Sequence, residues 1–396
     1  MGWLSLAQLI SWGSVFYAFT LIMGPLEHDL GLTRAQSSLA FSLALLAEGL
    51  MAYPVGRWID RGHERAVMTA GSVLAGLCLL AHGWVTHVVG LYAVWVGLGL
   101  AMAAMLYAPV FAVVTRRFPH DFRRAIITMT FLGGLASTVF IPLTAWLIAQ
   151  FGWRHAMMAL AMLHLLVCAP LHAIVLRGAP RPAPIQPKAA AEKTPGLMHH
   201  LTSTPFLLIG AFVVLMMSVT VALPAHMVSL LREHGLAEAW VIAIPASIGV
   251  VQVFGRLLLY FFERHLDLHF TNRLIPCLIP LGLLALLAAP STAGAHFALV
   301  LAFVAVWGMG NGMLTIVNGT VIAEYVNREH VATLNGALGI PLALARAAAP
   351  LGLGLLWSPQ NGYTLGLTAL LCLSLLGIGA LAMAQKFSTK RRIAIN

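Results

Sequence analysis

Gly56-Arg57-Trp58-Ile59-Asp60-Arg61-Gly62-His63-Glu64-Arg65 packs most of a neighbourhood's charge into one turn at the end of a long apolar run. The arrangement returns about half a chain later. Gly255-Arg256-Leu257-Leu258-Leu259-Tyr260-Phe261-Phe262-Glu263-Arg264 closes another apolar run on an acid–arginine pair. The chain has 396 residues, 60% hydrophobic and only 9% charged, so charge gathered in this way is a signal rather than background. A charged turn duplicated at that separation predicts two similar membrane-embedded halves. Parallel repeats with a site between them describe one broad class of secondary transporter.

Composition excludes a soluble globular domain, which carries about 25% charged residues. The mean hydropathy is +0.89. Glycine (36) and proline (20) are scattered through the apolar runs. Helices inside a membrane tolerate them because neighbouring helices and hydroxyl side chains satisfy the freed backbone groups. Cys78, Cys168, Cys277 and Cys372 each lie alone in an apolar run. With no C-x-x-C or Cys/His ligand spacing, they read as small buried hydrophobes, and neither a metal nor a cofactor is expected.

Roughly 20 apolar residues cross the hydrocarbon layer. Runs of that order fall near 4–25, 37–56, 66–85, 89–115, 125–149, 155–176, 204–230, 239–262, 271–290, 296–325, 335–357 and 363–385. The expectation is an all-α membrane protein of twelve spans in two six-helix halves, 1–176 and 204–385, around a central cavity. Between them, 177–203 carries Pro180, Pro182, Pro184, Pro187 and Pro195 among basic residues and reads as a cytoplasmic linker. Residues 386–396 form a basic tail. The first run lacks a positive n-region and a small-residue cleavage site, so it reads as a span and not a cleaved signal.

Lysine and arginine are distributed very unevenly. With the N-terminus in the cytoplasm, 18 basic residues lie in cytoplasmic connections, against Arg34, Arg154 and Arg232 outside. The positive-inside rule then puts both termini in the cytoplasm of a bacterial-type inner membrane. The same bias accounts for the net charge of +10 without a nucleic-acid site.

Twelve runs in two halves, with Gly56-x-x-x-Asp60-Arg61 and Arg65 after the second, resemble the major facilitator superfamily across essentially the whole chain. Within it, the chain looks like bacterial members of the monocarboxylate-porter and oxalate/formate-exchanger group. In that group a Gly-Arg step in helix 8 presents a substrate-contacting arginine, and Gly255-Arg256 stands in the matching place. Oxalate carriers have a second cation in helix 11, where Arg346 stands here. The Gly-Pro pattern of drug antiporters in helix 5 is missing, since Gly133, Gly134 and Pro142 have other spacing.

The residues argue for an anion without that resemblance. Arg346 sits about 11 residues into its run, where snorkelling reaches neither surface easily. An arginine at mid-membrane costs on the order of 3 kcal/mol even on the lenient insertion scale, and such residues mark substrate paths. Arg256 lies roughly two turns from the end of run 8, with Gln252 and Tyr260 four residues to either side on one helical face. A carboxylate about 4 Å from a guanidinium gains roughly 4 kcal/mol at an effective dielectric near 20. Arginine also grips carboxylates through two parallel hydrogen bonds. The bland alternatives are bonds from Arg256 to helix-end carbonyls and a strut between Arg346 and Glu324 or Glu48.

Run 10 supplies further candidates. Trp307, Asn311, Thr315 and Asn318 share one helical face by their spacing, and Gly308, Gly310 and Gly312 permit close backbone approach. Interhelical hydrogen bonding is the alternative reading of that stripe. Tyr17 and Tyr107 are weaker candidates for contact with the substrate. Glu48, midway along run 2, could carry a coupling proton, balance an arginine, or serve as a neutral structural acid. Gly56, Asp60, Arg61 and Arg65 read as a charged latch that sets which of two rocking arrangements prevails. His63, His164, His172 and His226 show no metal spacing and receive no site.

The expectation is a transporter of a small mono- or dicarboxylate, proton-coupled or exchanging, working as a monomer in the bilayer. An exporter of drug-like or siderophore-like amphipathic molecules is the alternative. A membrane enzyme or scaffold is the reading from a different class. No nucleophile–base arrangement, H-E-x-x-H, P-loop or paired acids supports an enzyme.

Overall fold

The structure is a computed structural model, and it describes residues 2–117, 130–178, 201–262, 268–289, 296–326 and 331–395. Most of those residues are helical, and no strand occurs among them. The spans are α1 (Gly2–Leu30), α2 (Arg34–Asp60), α3 (Glu64–Ala81), α4 (Val88–Val114), α5 (136–151) and α6 (153–175). There follow α7 (Thr204–Glu233), α8 (Glu238–Phe262), α9 (Leu268–Ala288), α10 (His296–Tyr325), α11 (Gly339–Leu355) and α12 (Thr364–Ile395).

α5 and α6 run together as one 40-residue apolar stretch, Ala136–Val175. A straight helix of that length would measure about 60 Å, twice the hydrocarbon thickness. Gly152, at φ 78° and ψ 162°, leaves the helical conformation and divides it into two spans. Positive φ is where glycine is at no disadvantage. Among the described residues, ten helices have the length and apolarity to cross a membrane. The division at Gly152 and the shorter apolar Gly339–Leu355 bring the spans to the expected twelve. Of the sequence-stretch readings, 125–129 of run 5, most of the 177–203 linker and the Glu263–Arg264 pair lie outside the described residues.

Local chemistry sets the ends. Gly31 closes α1 in the left-handed region at φ 62°. Thr33 and Gln36 then start α2 with a reciprocal capping box. Pro25, Pro54, Pro142, Pro224, Pro245, Pro276, Pro280 and Pro350 sit inside helices, as spans allow. α4 breaks at Leu106, just before Pro109. With no N–H at position 109, the Met105 carbonyl loses its helical donor, and Gln8 Nε2 on α1 supplies one at 2.6 Å.

The chain packs as two compact units. One comprises Met1–Ile185 with Leu223–Val250 and Pro350–Leu355; the other comprises Gln186–Ala222, Val251–Ala349 and Leu356–Asn396. In the first, small residues let the helices touch. A Cβ on Gly99 would lie 2.1 Å from the Ala44 carbonyl oxygen, and one on Gly71 would lie 2.7 Å from Ala104 Cβ. Asp29 ties the helical hairpins together at one end, accepting from Trp153 Nε1 at 2.9 Å and pairing with Arg154. Arg154 Nη2 also donates to the Val85 carbonyl at 3.0 Å.

Parts of α7, α8 and α11 belong to this unit because they bond to α1, α2 and α5. Thr20 Oγ1 accepts from Val228 N at 3.2 Å, and Thr138 Oγ1 donates to the Ala246 carbonyl at 2.7 Å. Ser42 Oγ accepts from Leu351 N at 3.1 Å. His226, fully buried, sits between the Pro350 carbonyl at 2.9 Å and Ser38 Oγ at 3.3 Å. Outside, large apolar side chains such as Leu50, Leu166, Ile174, Leu207 and Phe254 stand exposed, as a lipid-facing surface requires.

Candidate functional site

Gln252 and Arg256 lie one turn apart on α8, where that helix crosses α10. The crossing is close because both partners contribute glycine. A Cβ on Gly312 would stand 2.3 Å from the Gln252 carbonyl oxygen, and one on Gly255 would stand 2.9 Å from the Met309 carbonyl oxygen. A bare Gly312 also leaves its own carbonyl open from the side. Arg256 Nε donates to that oxygen at 3.2 Å, and Thr315 Oγ1 donates to it at 2.8 Å. A half-buried guanidinium is thus oriented by the backbone of the neighbouring span, well inside an apolar helix. The anchor is a mid-helix carbonyl rather than a helix end. It orients the guanidinium through its Nε–H.

The other residues on α10 divide. Asn311 and Asn318 are half-buried and Thr315 is exposed, so three members of the stripe keep some open surface. The Asn318 Oδ1 is enclosed without a hydrogen-bond partner. Trp307 is fully buried against Phe303, at 5.8 Å between ring centroids, and against α9. A Cβ on Gly282 of α9 would lie 2.7 Å from Trp307 Cβ. Helical spacing put Trp307 on the polar stripe; the missing side chain at Gly282 draws it into the α9 contact. Arg346 is half-buried on α11. Pro350, four residues on, removes the helical donor of the Arg346 carbonyl, so the arginine stands at a weakened point of its helix.

Tyr17 and Tyr107 belong to the first unit. Tyr107 packs against Trp12 at 4.9 Å and Phe111 at 5.1 Å, with its hydroxyl over Gly133, where a Cβ would come within 2.2 Å. Tyr17 makes an edge contact with Phe16 at 5.4 Å. Glu48 is half-buried on α2.

In the charged turn, a Cβ on Gly56 would meet nothing within 4 Å among the described residues. Arg61 caps α2 and is exposed, and the side chain of Asp60 lies outside the described set. Arg65 has a definite partner. Its Nε donates to the Ala173 carbonyl in the last turn of α6 at 2.8 Å, a favourable place for a cation.

Sequence reasoning passed over the histidines. His164 and His172 on α6 and His226 on α7 are fully buried and hydrogen-bonded to Ser14, Ser72 and Ser38. A signal was available. His164, Cys168 and His172 recur every four residues, opposite a run of polar residues on α1 at every third position. A search for metal spacing does not see such a stripe. Among the described residues no His/Cys/Asp/Glu group could hold a metal ion.

Twelve apolar spans in this arrangement define a multi-pass membrane protein of transporter architecture. The model of the Major Facilitator Superfamily matches residues 4–350, and the chain belongs to that family. Human monocarboxylate transporter 11 is 30% identical over 199 residues, 48% of this chain. That match and its mouse counterpart span only 42% and 44% of the relatives' own lengths. Bovine monocarboxylate transporter 13 is 27% identical over 348 residues, 84% of this chain and 74% of its own. Among solved structures, a D-xylose–proton symporter superposes with a TM-score of 0.75 at 12% identity, covering 97% of this chain and 96% of the other. At that identity the likeness shows the fold alone.

Proposed function

We propose that the protein is a secondary transporter that moves a small organic anion, a monocarboxylate or short dicarboxylate, by alternating access. The observation that carries this reading is Arg256, a guanidinium inside an apolar span and oriented by the Gly312 carbonyl. The named relatives are monocarboxylate transporters, which supports the same substrate class. Arg256 and Arg346 bind the carboxylate, and Gln252, Asn311 and Asn318 offer hydrogen bonds to the rest of the molecule. Glu48 is the carboxyl in a span from which a proton could be exchanged with the anion. The turn at Gly56, Asp60, Arg61 and Arg65 biases one arrangement over the other.

The loop charges favour cytoplasmic termini in a bacterial-type inner membrane. With that orientation, the bonds joining α1, α2, α7 and α11 in the first unit lie at its outer end. Rocking must break the bonds at Thr20, Ser38, Ser42 and Thr138 to open it.

The test is a thermal-shift screen of the purified protein against mono- and dicarboxylates, sugars and lipophilic cations, followed by uptake into proteoliposomes. Carboxylates should raise the melting temperature, and Arg256→Gln should abolish saturable uptake while leaving the unliganded melting temperature within a few degrees. Stabilisation by lipophilic cations alone would turn the assignment to the exporter. Stabilisation by sugars alone would remove the anion reading and keep the transporter.

A further inference from the structure

Ser5, Gln8, Ser11 and Ser14 follow one another at every third position of α1, and each is fully buried. On α6, packed against them, His164, Cys168 and His172 are buried just as completely. Ser72 of α3 completes the lining. The result is a polar seam inside a six-span bundle, at a depth where hydrocarbon packing is the ordinary solution. Ser72 Oγ lies 2.8 Å from His172 Nδ1, and Ser11 and Ser72 both approach Met105 Sδ, at 3.8 and 3.9 Å.

One hydrogen bond in this seam fixes a tautomer. Ser14 Oγ lies 2.6 Å from the Ile10 carbonyl and 2.6 Å from His164 Nε2. A carbonyl only accepts, and a hydroxyl has a single proton to give. Both contacts are satisfied together only if Ser14 donates to Ile10 and His164 donates to Ser14. The ring proton is therefore on Nε2. Nδ1 is left as a bare basic nitrogen, enclosed and without a hydrogen-bond partner.

The backbone singles out the same pair. α1 widens into a π turn at Trp12–Tyr17, and α6 does so at His164–Cys168. π turns are rare and concentrate at functional sites. Here two of them lie on adjoining helices, and the Ser14–His164 bond joins one to the other.

We propose that His164 is a proton-binding site, loaded at Nδ1 during the transport cycle, with Ser14 holding the ring in the receptive tautomer. A proton from water forms the Nδ1–H bond and gives an imidazolium; its release on the other side restores the neutral ring. Titratable groups on the elements packed against it are Arg154, His155, Cys168 and His172 on α6 itself, Glu64, Arg65 and Cys78 on α3, and Tyr17, Glu27, His28 and Asp29 on α1. Ser14 is the seam group bonded to the ring, and it keeps its bond from Nε2–H when Nδ1 takes the proton. The role in transport rests on the carrier reading above, but the protonation itself does not require a substrate.

The experiment is an NMR titration of the full-length protein in nanodiscs, with 15N-labelled histidine rings, from about pH 8 to about pH 5, the range that spans an ordinary imidazole titration. His164→Gln keeps an Nε2 donor for Ser14 and cannot take a proton, so the signal it removes identifies His164. That signal should begin as the Nε2–H tautomer, become doubly protonated within the range, and shift its midpoint in Ser14→Ala. Should His164→Gln not fold, the one signal displaced by Ser14→Ala makes the assignment. A ring that stays neutral throughout, or starts as the Nδ1–H tautomer, overturns the proposal. Failure of every carboxylate in the thermal-shift screen would count against the carrier reading alone.

Discussion

Arg256 shows how little a side chain specifies until its neighbour is known. Its Nε meets the Gly312 carbonyl only because Gly312 has no side chain between the two helices. Arg256→Lys retains the charge but loses the planar fork that suits a carboxylate. We expect it to lower the uptake rate at limiting substrate by at least about tenfold, the equivalent of about 1.4 kcal/mol. Gly312→Ala attacks the same contact from the other side. With a Cβ 2.3 Å from the Gln252 carbonyl oxygen, the helices must separate. Overpacking of this kind costs about 1–3 kcal/mol, which should appear as a lowered melting temperature together with weakened anion binding.

At the scale of elements, the breaks in helices are as informative as the helices. Pro109 leaves the Met105 carbonyl without a helical donor, and Gln8 replaces it from another span. Gln8→Ala should destabilise the fold by about 1–3 kcal/mol, the usual consequence of orphaning a buried acceptor. In a Pro109→Ala background, position 109 regains an N–H and the loss should shrink. A double-mutant cycle of unfolding measurements in detergent would show no coupling between the two sites if this account were wrong. Gly152 divides α5 from α6 at φ 78°, where any Cβ is unfavourable although space is open. Gly152→Ala should cost about 1–3 kcal/mol, again read by melting.

Across the whole molecule, the bonds that draw α7 and α11 to α1 and α2 mark the ends that part in the proposed alternating-access cycle. Ser38 and Gly354 are one such close pair, since a Cβ on Gly354 would lie 2.9 Å from Ser38 Cβ. Ser38→Cys combined with Gly354→Cys, made in a chain whose own four cysteines are replaced, should form a disulfide after a small shift. Oxidised protein should bind substrate without carrying it, and reductant should restore uptake. Undiminished uptake in fully cross-linked protein would mean that these ends never separate.

Architecture was written into the chain as hydropathy and charge. Burying twelve apolar runs is a one-dimensional problem, because a bilayer demands length and greasiness from each span whatever its neighbours are. Residues that bear charge in such runs, Arg256 and Arg346 above all, stand out for the same reason. Contact was another matter. Neither the burial of Trp307 under Gly282, nor the capping of α6 by Arg65, nor the Ser14–His164 bond joining two π turns follows from spacing within one helix. Each depends on which faces of two distant segments meet, and a single glycine or proline on the partner decides that. Periodicity along a helix describes its faces; packing alone assigns them their neighbours.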